Sequence, residues 1–155
     1  MATDSERPAL DALDRAILAE LSQDGRITNI ELARRIGLTP APCLRRVKRL
    51  EEEGVITGYR AVLDPVATGR SCEIVVAVDI TVNDRQTTEE FEEAVTRFDE
   101  VTEVRRLLGR PDYFVRVNVA DLAAYEEFLM NRLARLPAVH RVESHQTMKI
   151  VKGGP

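Results

Sequence analysis

Apolar residues recur at helical spacing through the first third of the chain. A stripe of leucine and isoleucine predicts a helix over residues 11–24, and its members are Leu10, Leu13, Ile17, Leu18 and Leu21. A second helix is predicted from Thr28 to Gly37, because Thr28 and Glu31 form the pattern of a capping box and glycine suits a helix end. The residues expected on its buried side are Leu32, Ala33 and Ile36.

A third helix is predicted directly after this glycine. Thr39 suits the N-cap position and Pro40 the first helical position, where no N–H is needed. Apolar residues at every third position are expected to bury together, and they are Ala41, Leu44, Val47 and Leu50. The residues expected to face outward are Pro42, Cys43, Arg45, Arg46 and Arg49. Two short helices with a tight turn and a basic outer face are typical of a helix-turn-helix DNA-binding unit.

The distribution of charge supports this interpretation only locally. The whole chain has a net charge of −4 and a pI of about 5.3, which excludes a bulk polyanion binder. Residues 26–49 nevertheless contain seven basic side chains and one acidic side chain, Glu31, a local net charge of +6. Such a patch predicts contacts with DNA phosphates. The alternative is a solvated basic helix face whose arginines pair with Glu51, Glu52 and Glu53 along the same helix.

The pattern after residue 58 changes to β-branched runs that alternate with amphipathic segments. The predicted elements are a short strand-like connector at residues 59–63, a strand at 73–82, a helix at 88–99, strands at 101–108 and 113–119, a helix capped by Asp121 that reaches Leu136, and a strand over about 139–151. The turn at residues 109–112 makes its flanking strands an expected antiparallel pair. The order β-α-β-β-α-β predicts an α+β chain with a ferredoxin-like second half.

The segment NIELARRIGLTPAPCLRRVKRLEEEGVITGY, followed by Asp64-Pro65, resembles the helix-turn-helix domain of the Lrp/AsnC family of transcriptional regulators. The resemblance extends over nearly all of the chain. It implies a winged-type helix-turn-helix DNA-binding domain at residues 1–58, a linker strand and turn at 59–72, and a ferredoxin-like effector-binding and oligomerisation domain at 73–155. Contact with double-stranded DNA is expected from Thr39, Pro42, Arg45, Arg46, Lys48 and Arg49.

The same resemblance implies an effector site in the turn before the third strand, where the family usually has a glycine followed by an acidic residue and an aromatic. Gly109, Asp112 and Tyr113 match this pattern, whereas Pro111 stands where relatives often have an aromatic residue. An amino acid needs a carboxylate such as Asp112 for its ammonium and a cation such as Arg110 for its carboxylate. The alternative is that Gly109 and Asp112 are ordinary hairpin-turn residues.

The effector implied by the resemblance is leucine or another branched-chain or aromatic amino acid, bound between dimers. Gln146 and Thr147, on the last strand, are expected to line the site from a neighbouring subunit. A dimer is expected because a ferredoxin-like sheet has helices on only one face, and because paired recognition helices suit a two-fold symmetric DNA site. Family members commonly form octamers as rings of dimers, and the sequence is compatible with that assembly.

Two hypotheses from other functional classes stay open. The first is a small-molecule-sensing protein whose basic helix docks on an acidic protein partner, which binding of specific duplex DNA would exclude. The second is a small enzyme, for which the sequence offers no paired acid and base, no metal-ligand spacing around His140 or His145, and no cofactor motif. Cys43 and Cys72 are isolated thiols, and Cys43 is expected to pack as a small hydrophobe.

A membrane location is not predicted. The longest apolar run, residues 74–78, is much shorter than the roughly 18 residues of a membrane span. A cytoplasmic location, together with DNA, is the expectation that follows.

Overall fold

A computed structural model describes residues 9–81, 84–136 and 138–152. The chain divides into two compact units, and the division falls between Ala61 and Val62. The described residues of the first unit form three helices: α1 at Ala12–Gln23, α2 at Asn29–Arg35 and α3 at Pro40–Glu52.

Helix starts in the first unit are fixed by side-chain caps. The Asp11 carboxylate accepts from the Asp14 amide, and the Asp14 carboxylate accepts from the Asp11 amide, a capping box that begins α1. At α2 the Thr28 hydroxyl accepts from the Glu31 amide at 3.3 Å, as predicted. The other half of the predicted capping box is wrong, because the Glu31 carboxylate binds Arg34 and Arg35 instead of the Thr28 amide.

The buried side of α3 differs from the prediction. Cys43 and Leu50 are fully buried, with Val47 packed beside them, whereas Ala41 and Leu44 are exposed. Positions three apart drift by about 60° per step around an α-helix, so Ala41 and Leu50 lie on opposite sides. Steps of four and three residues, from Cys43 through Val47 to Leu50, stay on one side. Cys43 therefore faces the core as a small hydrophobe, and its predicted outward position is wrong.

The second unit has the predicted ferredoxin-like order. Its elements are β1 at Cys72–Ile80, α4 at Arg85–Thr96, β2 at Val101–Arg106, β3 at Tyr113–Val119, α5 at Leu122–Asn131, a 3-10 turn at Leu133–Arg135 and β4 at Val139–Gln146. The four strands pair antiparallel in the order β2-β3-β1-β4. The pairing of β2 with β3 and the Asp121 cap of α5, at 2.8 Å from the Ala124 amide, confirm the prediction.

Several predicted boundaries were wrong. Helix α4 starts three residues before the predicted Thr88, because the Asp84 carboxylate accepts from the Thr87 amide and fixes an earlier first turn. Helix α5 gives way to the 3-10 turn before reaching Leu136, and β4 ends at Gln146. Residues 59–63 form no strand, since a strand requires a partner for its backbone groups and none lies beside them in the described chain.

One face of the sheet packs against α4 and α5, and no helix among the described residues of the second unit packs on the other. Alternate strand residues such as Val76 and Val115 join Phe91 and Phe128 in the core. The opposite face, here called the open sheet face, carries an apolar centre of Val75, Ala77 and Phe114, which neighbour one another through the strand register. Charged residues surround that centre, and they include Glu73, Glu103, Arg105, Arg116, Arg141 and Glu143.

Candidate nucleic-acid interface and ligand pocket

The turn between α2 and α3 is held by backbone and side-chain hydrogen bonds. The Leu38 amide donates to the Ala33 carbonyl at 2.8 Å, with Gly37 between them at a φ of +72°. The side-chain amide nitrogen of Asn29, Nδ2, donates to the Pro40 carbonyl at 2.8 Å, which joins the start of α2 to the start of α3. Thr39 occupies the N-cap of α3, although its side chain makes no capping hydrogen bond. The turn therefore fixes the direction of the predicted recognition helix, α3.

Two of the predicted DNA-contacting arginines bind acidic groups of α1. Arg46 donates to Asp14 at 2.8 Å and to Asp11 at 2.7 Å, and Arg49 donates to the other oxygen of Asp14 at 2.7 Å. Asp14 is completely buried, at 0% exposure. Burial opposes its ionisation, but the hydrogen bonds from Arg49, from the Asp11 amide and from Arg46 outweigh that effect and lower the pKa of Asp14 to about 2.

The basic residues of α2 are also paired. Glu31 accepts from Arg34 and Arg35, and Arg35 reaches Glu20 of α1 at 2.8 Å. The hydrogen bonds from Arg34 and Arg35 lower the pKa of Glu31 to about 2. The alternative pairing of the α3 arginines with Glu51, Glu52 and Glu53 is not observed, because the acids that bind them come from α1. Glu51 instead accepts from the Tyr59 hydroxyl at 2.9 Å.

The exposed surface of α3 retains two basic side chains. Arg45 and Lys48 are exposed and make no ion pair within the described part of the chain. Ala41 and Leu44 are exposed beside them, and the sequence pattern had placed both in the core. Of the other expected contacts, Thr39 is exposed and Pro42 is partly exposed. The structure thus separates Arg45 and Lys48 from Arg46 and Arg49.

Asp14 was missed by the sequence analysis, although the sequence carries a signal for it. It lies four residues after Leu10 and three before Ile17, in the middle of the apolar stripe of α1. An acidic residue at a core position of an amphipathic helix requires a cationic partner. Its partners, however, are 32 and 35 residues away in sequence.

A cavity of about 390 Å³ lies in the second unit where β1 ends, β4 begins and the β2–β3 loop returns. Its lining residues are Asp79, Ile80, Thr81, Arg110, Asp112, His140 and Arg141. Arg110 and Asp112 were predicted at this site, and the other five were not. Gly109 takes a φ of +123° in the same loop, a conformation that favours glycine, and the Arg110–Pro111 peptide bond is cis.

Asp112 links the loop to the end of β1. Its carboxylate accepts from the Ile80 amide at 2.9 Å, and its carbonyl accepts from the Leu107 amide at 2.8 Å. The register of β1 with β4 shifts between Asp79 and Ile80, so His140 has no opposite residue on β1. The bulge and the loop together shape the cavity.

Tyr113 does not line the cavity. Its side chain is buried in the core, its ring centroid lies 4.8 Å from that of Phe91, and its hydroxyl donates to Glu92 at 2.9 Å. Burial and this hydrogen bond raise the pKa of Tyr113 to about 12. Residue alternation along β3 turns Tyr113 toward the helices, so within its own chain it lies away from the cavity, and its contact with a ligand stays a prediction.

Gln146 and Thr147 lie at the other end of the sheet. Gln146 is opposite Ile74 in the register, six residues along β1 from Ile80. Thr147 donates to the Glu73 carboxylate at 2.8 Å. Neither residue lines the cavity of its own chain.

The described residues show no membrane-spanning helix and no metal cluster. No helix within them is both long and apolar enough to cross a bilayer. Across residues 9–81, 84–136 and 138–152, no three His, Cys, Asp or Glu side chains are grouped to hold a metal ion.

Each unit of the chain matches a known protein family. Residues 10–57 match the family described as winged helix-turn-helix DNA-binding, and residues 73–155 match the Lrp/AsnC ligand binding domain. The leucine-responsive regulatory protein of Escherichia coli K12 is 40% identical over 98% of this chain and 94% of its own. That of Haemophilus influenzae is 41% identical over 93% of this chain and 87% of its own.

Solved structures agree with these matches. A Neisseria meningitidis transcriptional regulator in complex with L-methionine superposes with a TM-score of 0.90 at 32% identity, covering 94% of each chain. An AsnC family transcriptional regulator of Agrobacterium tumefaciens has a TM-score of 0.88 at 35% identity, also covering 94% of each chain. The chain belongs to the Lrp/AsnC family of DNA-binding transcriptional regulators.

Proposed function

We propose that an amino acid binds in the cavity beside the Asp112 loop and changes the assembly or DNA affinity of this regulator. The main support for this proposal is the cavity itself, whose wall combines acidic Asp79 and Asp112 with basic Arg110 and Arg141. A free amino acid has one ammonium and one carboxylate, and this wall offers both complementary charges. The Neisseria regulator, solved with L-methionine, is a relative of similar fold that holds an amino acid.

The proposed effector is leucine or another branched-chain or aromatic amino acid, bound between dimers. Among the described lining residues only Ile80 is apolar, so the described part of this chain supplies little surface for such a side chain. A second copy would supply the missing wall. Gln146 and Thr147 of a neighbouring copy are proposed to take part, since those of the same chain lie at the far end of β1.

The DNA-binding surface is proposed to centre on the exposed side of α3. Arg45 and Lys48 are its cations without an ion pair among the described residues, with Thr39 and Pro42 at the helix start. Arg46 and Arg49 contribute mainly by fixing the helix, through Asp14. Arginine commonly reads guanine edges in the major groove, and lysine neutralises phosphates. The protein acts in the cytoplasm, on duplex DNA.

Dimerisation is proposed through the open sheet face. Its apolar centre includes Phe114, which is 38% exposed, and no helix among the described residues of the second unit covers it. A second sheet would bury this centre and place two recognition helices for a two-fold symmetric site. Assembly into an octamer is a further step of the same proposal.

The test combines ligand binding with DNA binding. Each of the twenty L-amino acids is added to the full chain in a thermal-shift assay, and an effector raises the unfolding temperature because it binds only the folded state. The amino acid with the largest shift is then titrated into a complex with a duplex selected by this protein from a random pool. A changed dissociation constant or sedimentation coefficient supports the proposal.

Two results would contradict it. If none of the twenty amino acids shifts the unfolding temperature, the chain has no amino-acid effector. If the selected duplex is displaced equally by any DNA and binding shows no dependence on salt, docking on an acidic protein becomes the better hypothesis for α3.

A further inference from the structure

One wall residue of the cavity has a buried acceptor without a donor. The Oδ1 atom of Asp79 is buried, and no hydrogen-bond donor of the described residues reaches it. Buried polar atoms are nearly always hydrogen-bonded, because leaving one unsatisfied costs about 1–3 kcal/mol. Asp79 also lines the cavity, so a donor group placed inside the cavity can approach the part of this side chain that faces it, and rotation of the carboxylate would bring Oδ1 to that donor.

Asp112, in contrast, already has a structural role. The bulge between Asp79 and Ile80 interrupts the ladder with β4, and the Asp112 carboxylate accepts from the Ile80 amide at 2.9 Å. This hydrogen bond holds the β2–β3 loop against the end of β1. An acceptor engaged in this way is a weaker candidate for a ligand cation than an acceptor that lacks a donor.

The remaining charges of the wall are arranged around these two acids. Arg141 lies opposite Asp79 in the strand register and forms an ion pair with Glu143. Arg110, on the loop, makes no ion pair within the described residues. Arg110 is thus the cation available for a ligand carboxylate, on the side of the cavity formed by the loop.

We infer that Asp79 is the residue that accepts the ammonium group of the effector, and that Asp112 positions the loop. This inference rests on the proposed effector function and divides the two acids of the cavity between binding and positioning. The ligand class is a primary α-amino acid with an unmodified ammonium group. After rotation of the carboxylate, its ammonium would supply the donor that Asp79 Oδ1 lacks among the described residues.

The experiment compares two substitutions that keep side-chain size. Asp79→Asn removes the charge that would bind the ammonium. Asp112→Asn also removes a charge but retains an amide oxygen that can accept from the Ile80 amide, so it is the matched control. The twenty L-amino acids are titrated individually into the full-length wild type by calorimetry, and the tightest one is then titrated into both variants.

Asp79→Asn is expected to weaken binding by about 10- to 100-fold, the usual effect of losing a hydrogen bond to a charged group. Asp112→Asn is expected to weaken it less than Asp79→Asn does. Without ligand, Asp79→Asn should unfold no earlier than the wild type, since no hydrogen bond to Oδ1 is lost. A purely structural Asp79 would instead lower the unfolding temperature.

The N-acetyl derivative of the same amino acid provides a second readout. It lacks the ammonium charge, so it should bind the wild type more weakly than the free amino acid does. Asp79→Asn should bind the free amino acid and the N-acetyl derivative with similar affinity. The acetyl group and the Asn substitution each remove the same interaction, the one between the ligand ammonium and the Asp79 carboxylate, so the second removal has no further effect.

The outcomes distinguish the proposed effector function from the assignment of Asp79. If the wild type binds no amino acid, both the effector function and this inference are overturned. If the wild type binds one and Asp79→Asn binds it equally well, only the assignment of Asp79 fails. If Asp112→Asn alone abolishes binding, Asp112 is the ammonium acceptor instead.

Discussion

Neighbouring arginines on the recognition helix have different environments. Arg45 is exposed and unpaired among the described residues, whereas Arg46 binds the buried Asp14 and the exposed Asp11. Consecutive helix positions are rotated by about 100°, which is enough to move a side chain from the exposed side of α3 to the side of α1. A basic side chain on this helix is therefore not necessarily a DNA contact. An arginine that binds a buried acid, as Arg46 does, has a structural role instead.

Arg45→Ala should weaken DNA binding, whereas Arg46→Ala should lower the stability of the domain. We expect Arg45→Ala to weaken binding to the selected duplex by about 1–3 kcal/mol if it reads a base, with the unfolding temperature unchanged. Arg46→Ala should lower the unfolding temperature, because it deprives a buried carboxylate of a partner. Fluorescence anisotropy and thermal unfolding measure the two effects. Equal loss of stability in both variants would contradict the separation.

Lys48→Ala should act as a phosphate-contact variant. The expected loss of affinity is similar on all duplex sequences, and the slope of log affinity against log salt should decrease by about 1. Binding curves at several salt concentrations give this slope. Glu52→Gln, on the same helix, is the control and should leave the slope equal or raise it, since it removes a negative charge.

At the scale of elements, α1 and α3 are joined by a buried ion network. Asp14 receives Arg46 and Arg49 from α3, and such a network stabilises the domain only while the carboxylate is ionised. Its pKa of about 2 lies below the ordinary value of 3.8. The network therefore contributes fully to folding stability above pH 3.8, the ordinary pKa, and this contribution is lost as the pH falls through the lowered pKa of about 2.

Asp14→Asn should remove this acid dependence. In the wild type, the free energy of unfolding is expected to fall between pH about 4 and about 2. Asp14→Asn should be less stable than the wild type at pH 7 and should lose less stability over that window. Urea unfolding at several pH values measures this, with the exposed Glu52→Gln as control. Parallel pH profiles for wild type and Asp14→Asn would show that the network does not contribute.

Gly37 fixes the turn between α2 and α3 through its backbone conformation. Its φ is +72°, and a Cβ there would meet no atom within 4 Å, so only backbone strain opposes a side chain. Gly37→Ala should cost about 1–2 kcal/mol of folding free energy. Gly25→Ala, where φ is not in the left-handed region and a Cβ would make an ordinary 3.5 Å contact with Tyr59, is the matched control. Equal stability of both variants would contradict this.

At the scale of elements, helix caps and turns could be predicted from the sequence, but contacts between residues distant in sequence could not. The Asp121 cap and the Gly37 turn depend on residues within a few positions, so their patterns identify them. The ion network of Asp14 depends on residues more than thirty positions away. The cavity beside Asp79 is likewise formed at a bulge in β1 and at the loop between two other strands, and local spacing predicts neither the bulge nor their proximity.

At the scale of the whole molecule, the open sheet face is the surface to test for self-association. We expect Phe114→Glu to weaken dimerisation, because it places a charge in the apolar centre that a second sheet would cover. Leu122→Glu, on the exposed start of α5, changes a helix on the other side of the sheet and should leave the assembly unchanged. Sedimentation velocity across a concentration series measures both. Unchanged association of Phe114→Glu would place the dimer contact elsewhere.

The anchoring of Arg46 and Arg49 to Asp14 has a consequence for how this regulator can change over time. The side chains that fix α3 and those exposed on it are different residues, so DNA preference can diverge without loss of folding. Four of the exposed positions of α3 are Ala41, Leu44, Arg45 and Lys48. Randomising these four positions should yield mostly folded proteins, among which new operator specificities can be selected.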